Sequence, residues 1–464
     1  MMMKMPGLSS LAKCQWIPWV ACAVALAACD PGGASGERMD APVGADAGRD
    51  AELEPGRDAS RDGRPQDPLR DAAPDTAVDG AAVDGAVDGA PDASLDQGLP
   101  VEDPCGFGPT GSPDDDRVVL IGHPFGEEEG GRGHDIRSMV LRADGTLVDV
   151  GARLDLGSRA ERIAFTPSGR FAIVVGEDGV ITLVEVVAPD DLQIRDVAAV
   201  DPQGTADLVM HPDGHTAWLL RADVNEANSG IFTLTLGCDG TLNVAPEHFG
   251  LRLTEAMALY PGDPDQALLL GGQAVFTPID DFDVRLLTRA GDGWSEVGRF
   301  DIFHDFVQAS GIAVSPDKRT AAIPNASPFS DEGHQLVILD LSPDGVVERH
   351  RIQNLEDAVM TRFSPDGETL MLLRPEPGRI TLLTADAGGR FGVVDELVPG
   401  LTTDFAVVSR GEGRGLLVVP SVHPADGSRV QVYRLEGPGQ ARLIDAVELP
   451  EGFEQIPGAI GTRP

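Results

Sequence analysis

The sequence predicts an all-β, seven-bladed β-propeller of four-stranded antiparallel blades, its ring closed by strands from both ends of the chain and preceded by a disordered tether. Three observations carry this prediction. A phrase of two β-rich runs around a Pro, Asp or Gly turn returns along the region from residue 117 to the end. Each end of that region holds half of such a phrase. The first hundred or so residues have a composition that cannot build a core.

Residues 1–28 read as an export leader. Lys4 and Lys13 form a positive n-region, and Trp16 to Ala28 form an apolar run. That run is shorter than the roughly 20 residues a spanning helix needs, and it suits a signal-peptide h-region. It ends in Leu26-Ala-Ala-Cys29, which resembles the lipobox of bacterial lipoproteins. The resemblance implies that the Cys29 thiol takes a diacylglycerol and that Cys29 becomes the new N-terminus, so the first partner is the membrane, through a lipid anchor. Two acyl chains hold firmly where one would bind only marginally. The expected location is the bacterial cell envelope, periplasm-facing or at the cell surface. The competing readings are a plain secretory signal and a membrane helix.

Residues 29–103 form the tether. The stretch is built from Ala, Asp, Gly, Pro and Arg, and Asp71, Asp75, Asp79, Asp84, Asp88, Asp92 and Asp96 recur every four or five positions. Like charges at that spacing repel along a helix face, and Gly and Pro break it. With little apolar surface to bury, the segment is predicted to be a flexible linker spanning roughly 45–50 Å.

Residues 104–464 form the propeller domain. The phrase appears as Arg162-Ile-Ala-Phe-Thr-Pro-Ser-Gly169 before Arg170-Phe-Ala-Ile-Val-Val175, and as Asp207-Leu-Val-Met-His-Pro-Asp-Gly214 before His215-Thr-Ala-Trp-Leu-Leu220. Further copies centre on Pro261, Pro316 and Pro365, and a degenerate one runs from Phe405 to Gly411. Pro-Asp-Gly supplies a fixed φ, a side-chain-to-backbone bond and a positive φ, which a tight turn needs. Third and fourth strands follow, as in Gly230–Leu236 before Cys238-Asp-Gly240. Four antiparallel strands in each unit of about fifty residues are propeller blades. Arg117–Ile121 lacks a preceding first strand, and Pro457–Pro464 lacks a following second strand. Joined, they give a seventh blade and remove the exposed edges.

These phrases, Phe363-Ser-Pro-Asp-Gly367 and Val337-Ile-Leu-Asp-Leu341 among them, resemble the YVTN/lactonase-like seven-bladed propellers over roughly residues 117–464. The Tyr-Val-Thr-Asn tetrapeptide and a Trp-Asp dipeptide are absent. The resemblance therefore implies a shape, with hydrolysis of a lactone or sugar-derived ester as one activity that goes with it.

The net charge of −39 argues against nucleic acid as a partner. Candidate chemistry lies in the loops expected on one face. Glu161, Asp207, Glu255, Asp357 and Asp404 stand just before or at successive first strands, a candidate ring at the channel mouth for a cation or a cationic ligand. The competing reading is that they are solvated acids of an acidic protein. Two similar loops, His123 to Asp135 and Ser327 to His334, add His123, His134, Asp135 and His334 to that face, together with His304 and His423. Imidazole and carboxylate together suit Zn2+ or Ca2+ binding or acid/base chemistry, although no compact metal motif, nucleophile elbow or phosphate loop occurs. After the leader and Cys29, only Cys105 and Cys238 remain. In an oxidising compartment they pair, or they stay as two buried thiols. Three functions follow. One is a monomeric binding module for a protein, peptide or glycan, another is a lactonase-like hydrolase, and the third is a structural scaffold in an envelope complex.

Overall fold

A computed structural model describes residues 105–107, 116–122, 134–200, 204–222, 229–251, 254–271, 283–291, 293–303, 307, 309–326, 333–342, 345–376, 378–411, 413–423, 427–449 and 459–463. The leader, Cys29, the linker, His123 and His304 lie outside these residues. The described residues form twenty-eight strands in seven four-stranded antiparallel sheets. Six sheets use consecutive strands. The seventh, blade 1, has the order β28-β1-β2-β3. There β28 (Ile460–Thr462) pairs antiparallel with β1 (Arg117–Gly122) in the register Val119↔Thr462, Leu120↔Gly461, Ile121↔Ile460. The half-phrases at the two ends thus make one blade.

In blades 2, 3, 5 and 6 the first two strands are joined by the turn that the sequence spells. In blade 6 the Gly367 amide donates to the Ser364 carbonyl at 2.8 Å, the Thr369 amide donates to Ser364 Oγ at 2.9 Å, and Gly367 has φ +78°. Blade 5 repeats this at Ser315-Pro-Asp-Lys318, but a lysine holds the left-handed position, with φ +61°. A Cβ there costs about 1 kcal/mol. Lys318→Gly is therefore expected to raise stability by about 0.5–1 kcal/mol, as read by urea denaturation.

Several second strands are buried along their whole length, as in β5 (Phe171–Gly176) and β9 (Thr216–Arg221). They pair on both edges and are covered on both faces, which explains why the sequence shows apolar runs there and not alternation. The core follows suit. Seven apolar clusters each join two adjacent blades: Trp218, Leu220, Met257 and Leu269 between blades 3 and 4, for example, and Val119, Met139, Val418 and Val432 between blades 7 and 1. No blade has a core of its own, so the ring is stable only when complete. Fourth strands form the rim. All seven carry a register shift against their third strand, and such bulges twist an edge out of the geometry that would template pairing with another chain.

Cys105 and Cys238 are joined as a disulfide, with Cα atoms 4.9 Å apart. Cys238 lies in the turn between the third and fourth strands of blade 3, β10 (Gly230–Leu236) and β11 (Leu242–Gly250). Phe107, fully buried, inserts between blades 2 and 3 against Phe171 and His215, and its carbonyl accepts the Ser168 amide at 2.8 Å.

Candidate functional site

First strands line the inside of the ring: β4 (Ala160–Phe165), β8 (Thr205–Met210), β12 (Thr254–Tyr260), β16 (Ala313–Val314), β20 (Met360–Phe363), β24 (Ala406–Val407) and β28. They are unequal. Blades 2, 3 and 4 have long first strands, each with a bulge at the same place, between Ala160 and Arg162, Thr205 and Asp207, and Thr254 and Ala256. The extra residues are Glu161, Ala206 and Glu255. A bulge takes its residue out of the alternation that packs a strand against its neighbours. Around Glu255, Thr254 and Ala256 are both fully buried, while Glu255 keeps partial exposure. Two glutamates are thereby set on the inner edge of the ring, two blades apart.

Their electrostatics follow from that enclosure. Burial pushes the Glu255 carboxyl up to about 8, and among the described residues no charge or hydrogen bond opposes the shift. Burial likewise raises Glu161 to about 7, assisted by Glu177 and Asp178 and opposed by Arg162 and by a hydrogen bond with Thr205. Desolvation disfavours the charged form, so both groups hold a proton at a pH where an exposed glutamate has lost it.

Asp207 and Asp404 behave differently, and they behave alike. Asp207 Oδ1 accepts the Leu208 amide at 2.8 Å, and its other oxygen accepts the Met257 amide of blade 4 at 3.3 Å. Asp404 Oδ1 accepts the Phe405 amide at 2.8 Å, and its other oxygen accepts the Ile460 amide of blade 1 at 3.5 Å. Each aspartate thus staples its own first strand to the next. Burial raises the Asp207 carboxyl, against the pull of Arg162, the two amides and Arg362. Asp404 also pairs with Arg362 Nη2 at 3.1 Å.

Asp357 stands apart from the other four carboxylates. It sits in the connector before β20 with φ +55°, its side chain is 43% exposed, and its amide donates to His334 Nδ1 at 2.9 Å. The side chains of His334 and Asp357 approach to 3.8 Å. Asp135 is buried, and desolvation raises its carboxyl, with Arg153 at 3.9 Å opposing. His134 precedes it at the start of β2 (Asp135–Leu141), and His423 ends β25 (Leu416–His423). Among the described residues, no three His, Cys, Asp or Glu side chains gather closely enough to hold a metal ion.

The ring is therefore best described as an arc. Glu161, Asp207 and Glu255 lie on three successive blades, and Asp404 lies across from them on blade 7, tied to Arg362. The candidate site lies along the first strands of blades 2, 3 and 4, on the inner side of the ring. The fold of the chain is shared with several solved structures. The periplasmic gluconolactonase PpgL of Pseudomonas aeruginosa matches with a TM-score of 0.56 at 16% identity, over 75% of this chain and 99% of that one. A candidate 6-phosphogluconolactonase from Bacteroides uniformis matches with a TM-score of 0.58 at 14% identity, again over 75% and 99%. Hydrazine synthase of Kuenenia stuttgartiensis matches with a TM-score of 0.52 at 15% identity, over 73% and 99%. No known family and no curated protein matches the sequence. At these identities the likeness is one of fold, shared by proteins with different chemistry.

Sequence reasoning missed the bulges that single out Glu161 and Glu255 and the staple role shared by Asp207 and Asp404. A faint signal existed. Asp207 and Asp404 each stand four residues before the residue that opens the blade's first turn.

One prediction follows from the raised glutamate. The folded protein holds a proton on Glu255 up to about pH 8, whereas the unfolded chain loses it near 4.5. The native state thus binds more protons across that window, and stability falls as pH rises through it. Glu255→Gln is expected to flatten this decline and to add about 2–4 kcal/mol at pH 8.5, with little change at pH 4.5. Denaturant unfolding at the two pH values checks it, and equal effects at both would refute the assignment.

Proposed function

We propose that this chain is an exported, lipid-anchored protein of the bacterial cell envelope whose propeller is a binding module, taking a polar ligand of the protein, peptide or glycan class at its channel mouth. The leader ending at Cys29 and the linker of residues 29–103 support the anchored part of the reading. One observation carries the binding part. Matching bulges in blades 2 and 4 hold Glu161 and Glu255 on the channel edge, and Glu255 has no partner among the described residues. Enclosing such a carboxyl costs stability, a cost that a ligand contact would offset.

Two measurements test the proposal. Intact mass spectrometry of membrane-extracted protein should show the acylated Cys29 N-terminus, lost in Cys29→Ala. Peptide and glycan arrays probed with the detergent-solubilised full chain should give ligands whose binding weakens at least tenfold in a Glu161→Gln/Glu255→Gln double variant. Ligands that bind the double variant equally well would remove the channel mouth from the proposal.

A second reading rests on Glu161. A carboxyl that holds its proton to about pH 7 is suited to general acid catalysis near neutrality, as the opening of a lactone would require. An aldonolactone panel decides it. Turnover that drops at least a hundredfold in Glu161→Gln supports a hydrolase, and no turnover above the spontaneous rate sinks it.

A further inference from the structure

We propose that Arg162 is the positioning residue of the candidate site: it ties the bulges of blades 2 and 3 into one unit and so fixes where the Glu161 carboxyl stands. This rests on the binding reading above and deepens it, naming the group that shapes the site in advance of a ligand. A bulge leaves its extra residue outside the ladder. Ala160 pairs with Gly176 and Arg162 with Val175, while Thr205 pairs with Arg221 and Asp207 with Leu220, so Glu161 and Ala206 have no ladder partner. Carbonyls released in this way need other donors where water is scarce.

One guanidinium serves both. Arg162 Nη1 donates to the Glu161 carbonyl at 2.9 Å, and Nε and Nη2 donate to the Ala206 carbonyl at 3.2 and 2.6 Å. Each of its three nitrogens is thus spent on the frame. A planar fork suits this task, because it holds two acceptors at fixed angles, and a charged donor makes the stronger bond. The Glu161 carboxyl crosses the same seam, hydrogen-bonded with Thr205, the residue before Ala206. Glu161 is therefore held at both ends, its carbonyl by Arg162 and its carboxyl by blade 3.

The next blades show that this clamp is not a general feature of the ring. The residue after the bulge is Arg162 in blade 2, Asp207 in blade 3 and Ala256 in blade 4. Arg162 and Asp207 each reach the following blade, Asp207 through the Met257 amide at 3.3 Å. Ala256 has no polar group to reach with, and blade 5 opens on a first strand of two residues, Ala313–Val314. The ties run from blade 2 to blade 4 and stop. Glu255 sits on a bulge followed by no arginine, which makes it the internal control.

The test reads both glutamates in the full chain in detergent, by infrared titration of the protonated carboxyl band, with Glu161→Gln and Glu255→Gln assigning the signals. In the wild type the Glu161 band should be lost at about pH 7 and the Glu255 band at about pH 8. Burial, Glu177 and Asp178 raise the Glu161 midpoint, and Arg162 and the Thr205 bond lower it. Arg162→Met removes the ties and the charge together, and the two roles predict opposite signs. Loss of a positioning residue frees the carboxyl to reach water, so the Glu161 midpoint should fall by about one pH unit or more while that of Glu255 stays in place. Arg162→Lys keeps a cation without the fork, and it carries the same prediction if Arg162→Met does not fold. A rise would make Arg162 a neighbouring charge only, an unchanged midpoint would make it a structural residue only, and a parallel fall at Glu255 would mean a general loosening of the ring. Each of these overturns the proposal. No ligand is needed for this reading, so it stands or falls apart from the array experiment. Where the arrays give a ligand, Arg162→Met should weaken it at least tenfold and add nothing to the loss in Glu161→Gln, whereas additive losses would make Arg162 a contact residue and overturn the positioning role.

Discussion

Removing residues 459–464 is expected to cost about 4–6 kcal/mol and to leave a protein that aggregates on heating. The deleted segment, which includes β28, buries Ala459 and Ile460 at 2% and 4% exposure. It pairs with β1, and two backbone bonds flank the pairing, Gly122 amide to Ala459 carbonyl and Arg463 amide to Val118 carbonyl, each 2.9 Å. Arg463 also reaches blade 2, where Nη2 donates to the Ser168 carbonyl at 3.0 Å. Loss of one large apolar side chain costs about 2–5 kcal/mol, and each lost hydrogen bond adds about 1. The larger consequence is topological. Without β28, the inner edge of β1 is exposed, and unpaired edges template association. Calorimetry of the truncated chain should show a fall of about 5 °C or more, and light scattering should rise at the transition. A milder version is Gly461→Val, because a Cβ at Gly461 would lie 2.6 Å from Ile163 Cγ2. An unchanged transition in the truncated chain would mean that the ring does not depend on its closing strand.

Replacing Cys105 and Cys238 by serine is expected to lower stability by about 3–5 kcal/mol. The bridge spans 133 residues, and closing a loop of that length restricts the unfolded chain by about 5 kcal/mol in the entropic account, from which native-state relaxation subtracts. The bridge also keeps Phe107 in place. Its ring meets Phe171 edge-on at 5.3 Å and His215 at 4.7 Å, and Phe107→Ala alone should cost about 3–4 kcal/mol. If the disulfide acts by holding Phe107, the effects of the double serine and the alanine variants will add to less than their sum. Oxidised and dithiothreitol-reduced wild-type protein should differ by the same amount as wild type and the serine variant. Equal melting of the oxidised and reduced forms would reduce the bridge to a surface link.

The sequence itself determined the architecture, because the forces that shape a blade are local. A turn such as Ser364-Pro-Asp-Gly367 closes with its own hydroxyl, carboxylate and left-handed glycine. A buried second strand announces itself as an unbroken apolar run. The half-phrases at residues 117–121 and 457–464 even revealed the closure, since each is incomplete alone. Which acids form a site was not legible in the same way. Five carboxylates share a place in the phrase, yet Asp207 and Asp404 are bonded to amides fifty or more residues away, Met257 and Ile460. Asp357 sits against His334, and of the five only Glu161 and Glu255 sit on bulges. A bulge is a mismatch between two strands, and a staple is a bond between two blades. Neither belongs to one segment of sequence, so only the assembled ring decides which carboxylates are bound to the frame and which are not.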